Sequence, residues 1–174
     1  EIWSRGVNHE KFSKFNKLNL GKGPIFSYIG RVATEKNVEA FLKIKIDGTK
    51  VVVGDGPQLN SLKKKYPDVN YVGYQHGQDL VDYYASSDVM VFPSLTDTFG
   101  NVITEANATG TPVAAFNVIG PKDIIVNGIN GYIGDDLKSN IINCINLDRT
   151  KCQEYTKKFN WKECSRVFYD NIVA

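Results

Sequence analysis

The sequence has no long apolar segment, few cysteines and almost no net charge. No apolar run approaches the roughly 20 residues of a membrane helix, and the N-terminus lacks a signal-peptide pattern. The three cysteines, Cys144, Cys152 and Cys164, form no close pair, which argues against a disulfide framework or a zinc site and favours a reducing compartment. The formal net charge of +2 and the lack of an arginine-rich stripe argue against a nucleic-acid partner. We therefore predict a cytoplasmic protein that does not span a bilayer.

The composition is that of an ordinary globular domain. Hydrophobic residues make up 42% and charged residues 23% of the 174 positions, enough for a core without disulfides or metals. The run Lys63-Lys64-Lys65 indicates a solvated helix face; the alternative is weak attraction to an anionic membrane surface, which would bring the protein to the inner face of a membrane. His9 and His76 have no metal-like or triad-like partner nearby in the sequence, and we predict no metal site.

Apolar, strand-like runs alternate with helix-like runs along most of the chain. This alternation predicts right-handed βαβ crossovers and a parallel sheet. The expected fold is α/β, a Rossmann-like, doubly wound parallel sheet of about six strands with C-terminal helices from about residue 135. The predicted strands lie at about 24–30, 49–54, 69–73, 88–93, 112–116 and 130–134, and the predicted helices at about 36–46, 57–66, 78–87, 100–110 and 121–126.

Two of the expected helices have definable apolar faces. In the helix over 36–46 the face comprises Val38, Phe41 and Leu42, with Ile46 as a possible fourth member. In the first C-terminal helix the face comprises Leu137, Ile141, Ile142 and Ile145.

A buried strand followed by a helix start has the most informative chemistry. After strand 88–93, Asp97 and Glu105 lie on either side of a helix start at Gly100 and Asn101. The first turn of a helix leaves backbone N–H groups unpaired and a partial positive charge, both suited to phosphate oxygens. Carboxylates accept hydrogen bonds from sugar hydroxyls, so the arrangement is typical of a sugar-nucleotide site. The alternatives are that Asp97 is only a helix N-cap and Glu105 only a solvated helix residue.

Two cations follow the first predicted strand. Arg31 and Lys36 come after strand 24–30, and the carboxyl ends of strands in open α/β sheets face the ligand crevice. Charge-assisted bonds from such cations to phosphate are strong. The alternative is that they form only surface ion pairs, for example with Glu35. The turn at Gly54 lacks the third glycine of a dinucleotide fingerprint and by itself indicates only a turn.

The block from Ser94 to Val113 resembles the E-x7-E region of the family-4 retaining GT-B glycosyltransferases, the group-1 glycosyl transferases. Their usual pattern is S-x-x-E-G-F-G-x-x-x-x-E-A-x-A-x-G-x-P-V. The sequence matches it at Ser94, Phe99, Gly100, Glu105, Ala106, Ala108, Gly110, Pro112 and Val113. It differs at Asp97, where the family has its first glutamate. The segment from Ile29 to Asn37 is similar to the family's G-R-x-x-x-E-K element, and the segment from Val51 to Pro57 to its V-G-x-G-P turn.

The resemblance implies a role for each matching residue. Arg31 and Lys36 would hold the donor diphosphate and Asp97 the donor sugar, which makes these three the catalytic candidates. The backbone of Tyr74 would lie beside the nucleobase and Glu105 would hold the ribose. The implied donor-binding residues are Gly30, Gly54, Tyr74, Thr98, Phe99, Gly100, Asn101, Val102 and Glu105. The implied reaction moves a hexose from a UDP- or GDP-sugar to a glycan or lipid acceptor, with retention of configuration and without a metal or other cofactor.

The sequence also predicts that the chain is part of a larger enzyme. Its single methionine, Met90, lies within a predicted strand, so Glu1 is not expected to be an encoded start. Because the stretch from Trp3 to Asn8 resembles the end of an interdomain linker, we assign residues 1–20 to that linker and the segment leading into the domain. Residues 21–174 would form the donor-binding half of a GT-B enzyme, whose N-terminal acceptor domain lies outside this chain.

That arrangement predicts that the chain alone binds donor but transfers no sugar. Three alternatives stay open at this point. The chain is the product of processing a longer precursor, a non-catalytic nucleotide-binding module, or a sugar-nucleotide epimerase of related fold.

Overall fold

The structure is a computed structural model that describes residues 5–173. At its centre is a six-stranded sheet with the strand order β3-β2-β1-β4-β5-β6, in which every neighbouring pair is parallel. The strands are β1 (Ile25–Ile29), β2 (Thr49–Val53), β3 (Asn70–Gly73), β4 (Val89–Phe92), β5 (Val113–Ala115) and β6 (Gly131–Ile133). All six predicted strands are therefore confirmed. The linker prediction at Trp3 lies outside the described residues.

The direction in which the chain crosses the sheet reverses between β1 and β4. From β1 the chain proceeds outward through β2 to β3, then returns to β4 beside β1 and proceeds the other way to β6. Open α/β sheets bind their ligands at such a switch point, in the crevice beyond the carboxyl ends of the strands. The loops that follow β1 and β4 both open onto this crevice.

Helices cover both faces of the sheet, which confirms the doubly wound architecture. They are α1 (His9–Ser13), α2 (Val38–Leu42), α3 (Leu59–Lys65), α4 (Gly77–Ser86), α5 (Asn101–Ala108), α6 (Pro121–Ile124), α7 (Leu137–Cys144), α8 (Arg149–Thr156) and α9 (Trp161–Val173). Alternate strand residues point to opposite faces. Val51 and Val53 of β2 pack with α4 and α5, whereas Val52 packs with α2, α3 and α7.

The helix predicted over 36–46 is shorter than expected. A 3-10 turn (Thr34–Lys36) precedes α2, and α2 ends at Leu42. The ammonium group of Lys50 donates hydrogen bonds to the carbonyls of Leu42 and Ile44, so a side chain from β2 satisfies carbonyls that a longer helix would have paired. Ile46 therefore lies beyond the helix, and its place on the helical apolar face was predicted wrongly.

Two further features differ from the sequence predictions. The apolar face of α7 comprises Leu137, Ile141 and Cys144, whereas Ile142 and Ile145 are 46% and 37% exposed. The spacing of the buried residues is i, i+4 and i+7, as an α-helical stripe requires. Helix α1 was not predicted, since five residues are too few to show a period.

The segment that leads into the domain packs against it. Val7 and Phe12 belong to the hydrophobic core, and the Asn8 side chain caps α1 by accepting a hydrogen bond from the Lys11 N–H. The backbone N–H of Asn16 donates to Asp82 on α4. No helix in the described part of the chain is long and apolar enough to cross a membrane.

Candidate functional site

Two adjoining cavities occupy the crevice at the carboxyl edge of β1 and β4. The larger, of about 510 Å³, is lined by residues that include Gly54, Tyr74 and Glu105. The smaller, of about 180 Å³, is lined by residues that include Lys36 and Asp97. Both cavities are lined by Ile29, Gly30, Arg31 and Val102. Residues that are far apart in the sequence thus form one continuous site.

The smaller cavity lies over the start of α5. Gly100 and Asn101 line it, and Gly100 is the N-cap, in a left-handed conformation with φ of 85°. No side chain caps the helix, so no side chain competes with a ligand for its first N–H groups. Asp97 lies before the helix and its Oδ1 accepts a hydrogen bond from the Thr98 N–H at 3.0 Å. The alternative in which Asp97 caps α5 was therefore wrong.

Lys36 and Asp97 form an ion pair across this cavity. The Lys36 Nζ to Asp97 Oδ2 distance is 2.7 Å, and the two side chains are only 29% and 15% exposed. A partly buried pair of this kind is less screened by solvent than a surface pair. The ammonium group has three donors, so it can hold Asp97 and still donate to a phosphate oxygen.

The backbone of Arg31 is fixed by a hydrogen bond, and its guanidinium group is largely exposed. Its Nη1 lies 3.5 Å from Glu35 Oε1, with the two side chains 68% and 51% exposed, so this surface pair contributes little to stability. Its carbonyl accepts a hydrogen bond of 2.6 Å from the Tyr28 hydroxyl, and burial raises the pKa of Tyr28. Tyr28 therefore stays a neutral donor and fixes the backbone from which the guanidinium reaches the cavities.

Glu105 is the acid of the larger cavity. Its Oε2 accepts a hydrogen bond of 2.8 Å from the hydroxyl of fully buried Tyr84, which leaves Oε1 as an acceptor for a ligand. Burial raises the pKa of Glu105, against smaller opposing effects of the Tyr84 bond and the Lys11 charge. Glu105 is therefore not the solvated helix residue of the alternative interpretation. Sequence reasoning missed Tyr84 as a site residue, and only its helical spacing from Leu80 and Val81 hinted at its inward position.

Gly54 allows three loops to approach one another. A Cβ at this position would lie 1.9 Å from the Gly30 carbonyl oxygen, and its φ is 139°. Its N–H donates to the Gly73 carbonyl at 2.8 Å. Because no side chain fits here, only glycine lets the loops after β1, β2 and β3 meet beside the larger cavity.

Three other residues predicted for the site lie in different environments. Tyr74 lines the larger cavity and is 73% exposed. Its ring stacks on His76, with a centroid separation of 6.0 Å and an interplanar angle of 16°, a contact that sequence reasoning did not expect. Thr98 lines neither of these cavities but a third one, which Asp97 also lines. The Phe99 side chain lies in the core, edge-on to Phe159.

Among residues 5–173, no group of three or more His, Cys, Asp or Glu side chains is arranged so that it could hold a metal ion.

Comparisons with known proteins match this fold and this region. The family model described as glycosyl transferases group 1 matches residues 23–146. A GDP-mannose-dependent alpha-mannosyltransferase of Corynebacterium glutamicum is 36% identical over 143 residues, which covers 76% of this chain and 35% of that protein. The capsular polysaccharide biosynthesis glycosyltransferase CapM of Staphylococcus aureus is 28% identical over 199 aligned positions, which covers 98% of this chain and 52% of CapM.

A solved structure shares the fold over nearly the whole chain. Anabaena HepE in complex with UDP superposes with a TM-score of 0.78 at 18% identity, which covers 97% of this chain and 56% of HepE. The chain thus spans between 35% and 52% of the length of the two curated relatives above.

Proposed function

The chain belongs to the glycosyl transferases group 1 family, and we propose that it binds the nucleoside-diphosphate-sugar donor of an enzyme that transfers a hexose to an acceptor. One observation carries the proposal: Arg31, Lys36, Asp97 and Glu105 line two adjoining cavities at the switch point of the sheet. The Corynebacterium relative is named for GDP-mannose and HepE was solved with UDP. We therefore propose a UDP- or GDP-sugar as the donor.

The two cavities divide the donor between them. The nucleoside occupies the larger cavity, between Gly54, Tyr74 and Glu105, and the diphosphate reaches the smaller one at Lys36. Arg31 lines both cavities, and on this proposal its guanidinium turns from Glu35 to the junction of nucleoside and diphosphate. Glu105 accepts hydrogen bonds from the ribose hydroxyls through Oε1.

The chemistry follows from where negative charge develops. As the glycosidic bond breaks, the bonding electron pair leaves with the diphosphate, whose negative charge increases. Arg31, Lys36 and the first N–H groups of α5 stabilise that charge more strongly in the transition state than in the intact donor. Asp97 orients the hexose, and Lys36 in turn fixes Asp97 at 2.7 Å. We propose that the configuration is retained and that no metal takes part, as the family resemblance implies.

The acceptor side belongs to another domain under this proposal. The relatives are two to three times as long as the parts matched here, so an N-terminal domain has room to hold a glycan or lipid acceptor. Residues 21–174 would be the donor-binding domain and residues 1–20 the connection to it. The chain alone would bind donor and transfer nothing. A cytoplasmic location and contact with the inner face of a membrane stay predictions.

A thermal-shift panel of UDP, GDP and other nucleoside diphosphates tests the binding. At a hundredfold excess over Kd, a ligand that binds only the folded chain adds about 2.7 kcal/mol of stability, or roughly 5–11 °C in Tm for a chain of this size. At least one nucleoside diphosphate should raise Tm more than inorganic pyrophosphate does. If no nucleoside diphosphate raises Tm, the proposal is wrong.

A second assay tests the division of labour. The chain is incubated with labelled UDP- and GDP-sugars and simple acceptors, with and without a relative's N-terminal domain. Turnover only after the second domain is added supports a transferase. Transfer by the chain alone contradicts the proposed inactivity, and a changed donor sugar without acceptor indicates an epimerase.

A further inference from the structure

We propose that Asn37 is a positioning residue that, together with Ser94, sets Lys36 against Asp97 before any ligand binds. The inference rests on the proposed function, because it concerns how firmly the diphosphate-binding cation is held. Two hydrogen bonds join the loop after β1 to the loop after β4, and the Lys36 to Asp97 ion pair lies beside them.

The backbone of Asn37 directs Lys36 toward the cleft. Within residues 5–173, Asn37 is the only residue other than glycine with a positive φ, at 51°. Its N–H donates to the Thr34 carbonyl at 3.1 Å and its carbonyl accepts from the Ala40 N–H at 3.0 Å. It thus ends the 3-10 turn and begins α2, whose Val38 and Phe41 are fully buried. The core therefore anchors the position that immediately follows Lys36.

The left-handed backbone at position 37 does not by itself explain why the residue is asparagine. Glycine adopts this conformation at lower cost, so the side chain needs a separate reason. That reason is its amide group, which donates to the carbonyl of Pro93 at 3.1 Å. Pro93 is the first residue after β4, where the loop that bears Asp97 begins.

A second, weaker hydrogen bond joins the same two loops. The single proton of the Ser94 hydroxyl is shared between the Thr96 carbonyl at 2.9 Å, within its own loop, and the Glu35 carbonyl at 3.3 Å. The residues on both sides of Lys36 therefore contact the two residues that open the Asp97 loop. Ser94 also lines the smaller cavity, whereas Asn37 lines neither cavity, so the Asn37 bond isolates the effect of the junction from direct contact with a ligand.

This junction predicts an effect confined to the diphosphate. If the loops separate, the Lys36 side chain keeps its charge but is no longer held beside Asp97. Ligand binding must then immobilise this side chain, which costs free energy. Preorganised groups bind more tightly because that ordering cost is already met. The nucleoside contacts at Gly54, Tyr74 and Glu105 lie in the larger cavity and do not depend on the junction.

The test uses Asn37→Gly, which keeps the left-handed backbone and deletes the amide. Asn70→Gly is the matched control, because the Asn70 amide also donates to a carbonyl of another segment, that of Leu20 at 3.0 Å, away from the site. Ser94→Ala removes the second bond and serves if Asn37→Gly fails to fold. Affinities of the chain are measured by calorimetry for the nucleoside diphosphate that it binds best and for inorganic pyrophosphate, and by NMR titration for the matching nucleoside.

We expect Asn37→Gly to lower the affinity for the nucleoside diphosphate and for pyrophosphate about tenfold, and to leave the affinity for the nucleoside unchanged within about twofold. Asn70→Gly should leave all three affinities unchanged. Equal loss for all three ligands, or Asn37→Gly affinities equal to wild type, would overturn the inference. A wild-type chain that binds no nucleoside diphosphate refutes the proposed function, and the inference with it.

Discussion

Replacing Asp97 with asparagine is expected to tighten the binding of a nucleoside diphosphate, although Asp97 is a candidate catalytic residue. In the unliganded chain the Asp97 carboxylate is already paired with the Lys36 ammonium group, at 2.7 Å. A diphosphate that binds the same ammonium group is therefore repelled by the nearby negative charge of Asp97. Asparagine keeps the shape of the side chain and removes the charge.

The size of the effect follows from the geometry. A phosphate oxygen on another N–H of the Lys36 ammonium lies roughly 4.6 Å from the carboxylate oxygen, since each N–H to oxygen contact is about 2.8 Å long and the N–H bonds are about 109° apart. At that separation two unit charges repel by about 0.9 kcal/mol in water and about 3.6 kcal/mol at an effective dielectric constant of about 20. A middle value of about 1.8 kcal/mol corresponds to a Kd about twentyfold lower.

Titration calorimetry at low and high salt measures this effect. The gain should shrink in about 1 M salt, where charges are screened within roughly 3 Å. It should also be smaller for the intact donor, which has less phosphate charge and loses its contact with Asp97. The control is Asp68→Asn, which makes the same charge change at the opposite end of the sheet. Binding by Asp97→Asn that is weaker than wild type, or no tighter than that of the control, would refute the reasoning.

Three further predictions concern stability and the nucleoside. Burial raises the pKa of Glu105, so the folded chain binds the Glu105 proton more tightly than the unfolded chain does, and stability is lost as pH rises through the raised pKa. The Glu105→Gln variant should therefore have a higher Tm than wild type at pH 7, with no gain in Tm below about pH 4.5. In calorimetry it should bind the nucleoside more weakly. Gly54→Ala should cost about 3 kcal/mol or more in urea unfolding, because its Cβ would lie 1.9 Å from the Gly30 carbonyl oxygen, whereas Gly73→Ala, with nothing within 4 Å of its Cβ, should cost about 1 kcal/mol; equal costs would contradict this. Arg149→Met should cost about 2 kcal/mol in the same assay by removing three hydrogen bonds from the guanidinium to the Ser87 and Ala85 carbonyls and the Thr111 hydroxyl, each of which keeps another donor. Nucleotide affinity should be unchanged, and a loss of affinity would show that the guanidinium also supports the site.

The sheet could be predicted from the sequence because its signals are local. Short β-branched runs such as Val51 to Val53 end at glycines, which mark turns, and the helices between the runs indicate parallel topology. The cations after β1 and the acids around α5 were assigned to one cleft because parallel strands place their carboxyl ends at one edge. The structure places Arg31, Lys36, Asp97 and Glu105 there.

The contacts within the site could not be predicted in this way. The Lys36 to Asp97 pair joins residues 61 positions apart, and the Tyr84 to Glu105 bond joins residues 21 positions apart. No periodicity encodes such distances, because they depend on how loops and helices pack after the sheet has formed. The length of α2 was misjudged for the same reason, since it depends on Lys50 from a neighbouring strand.

A crystal structure of this chain with the nucleoside diphosphate that raises its Tm most tests the central claim directly. We expect one nucleotide to have its diphosphate within hydrogen-bond distance of Lys36 and Arg31 while its ribose hydroxyls donate to Glu105. A nucleotide bound at the opposite end of the sheet, in the cavity lined by Lys50 and Tyr66, or one that contacts the cations but not Glu105, would contradict it.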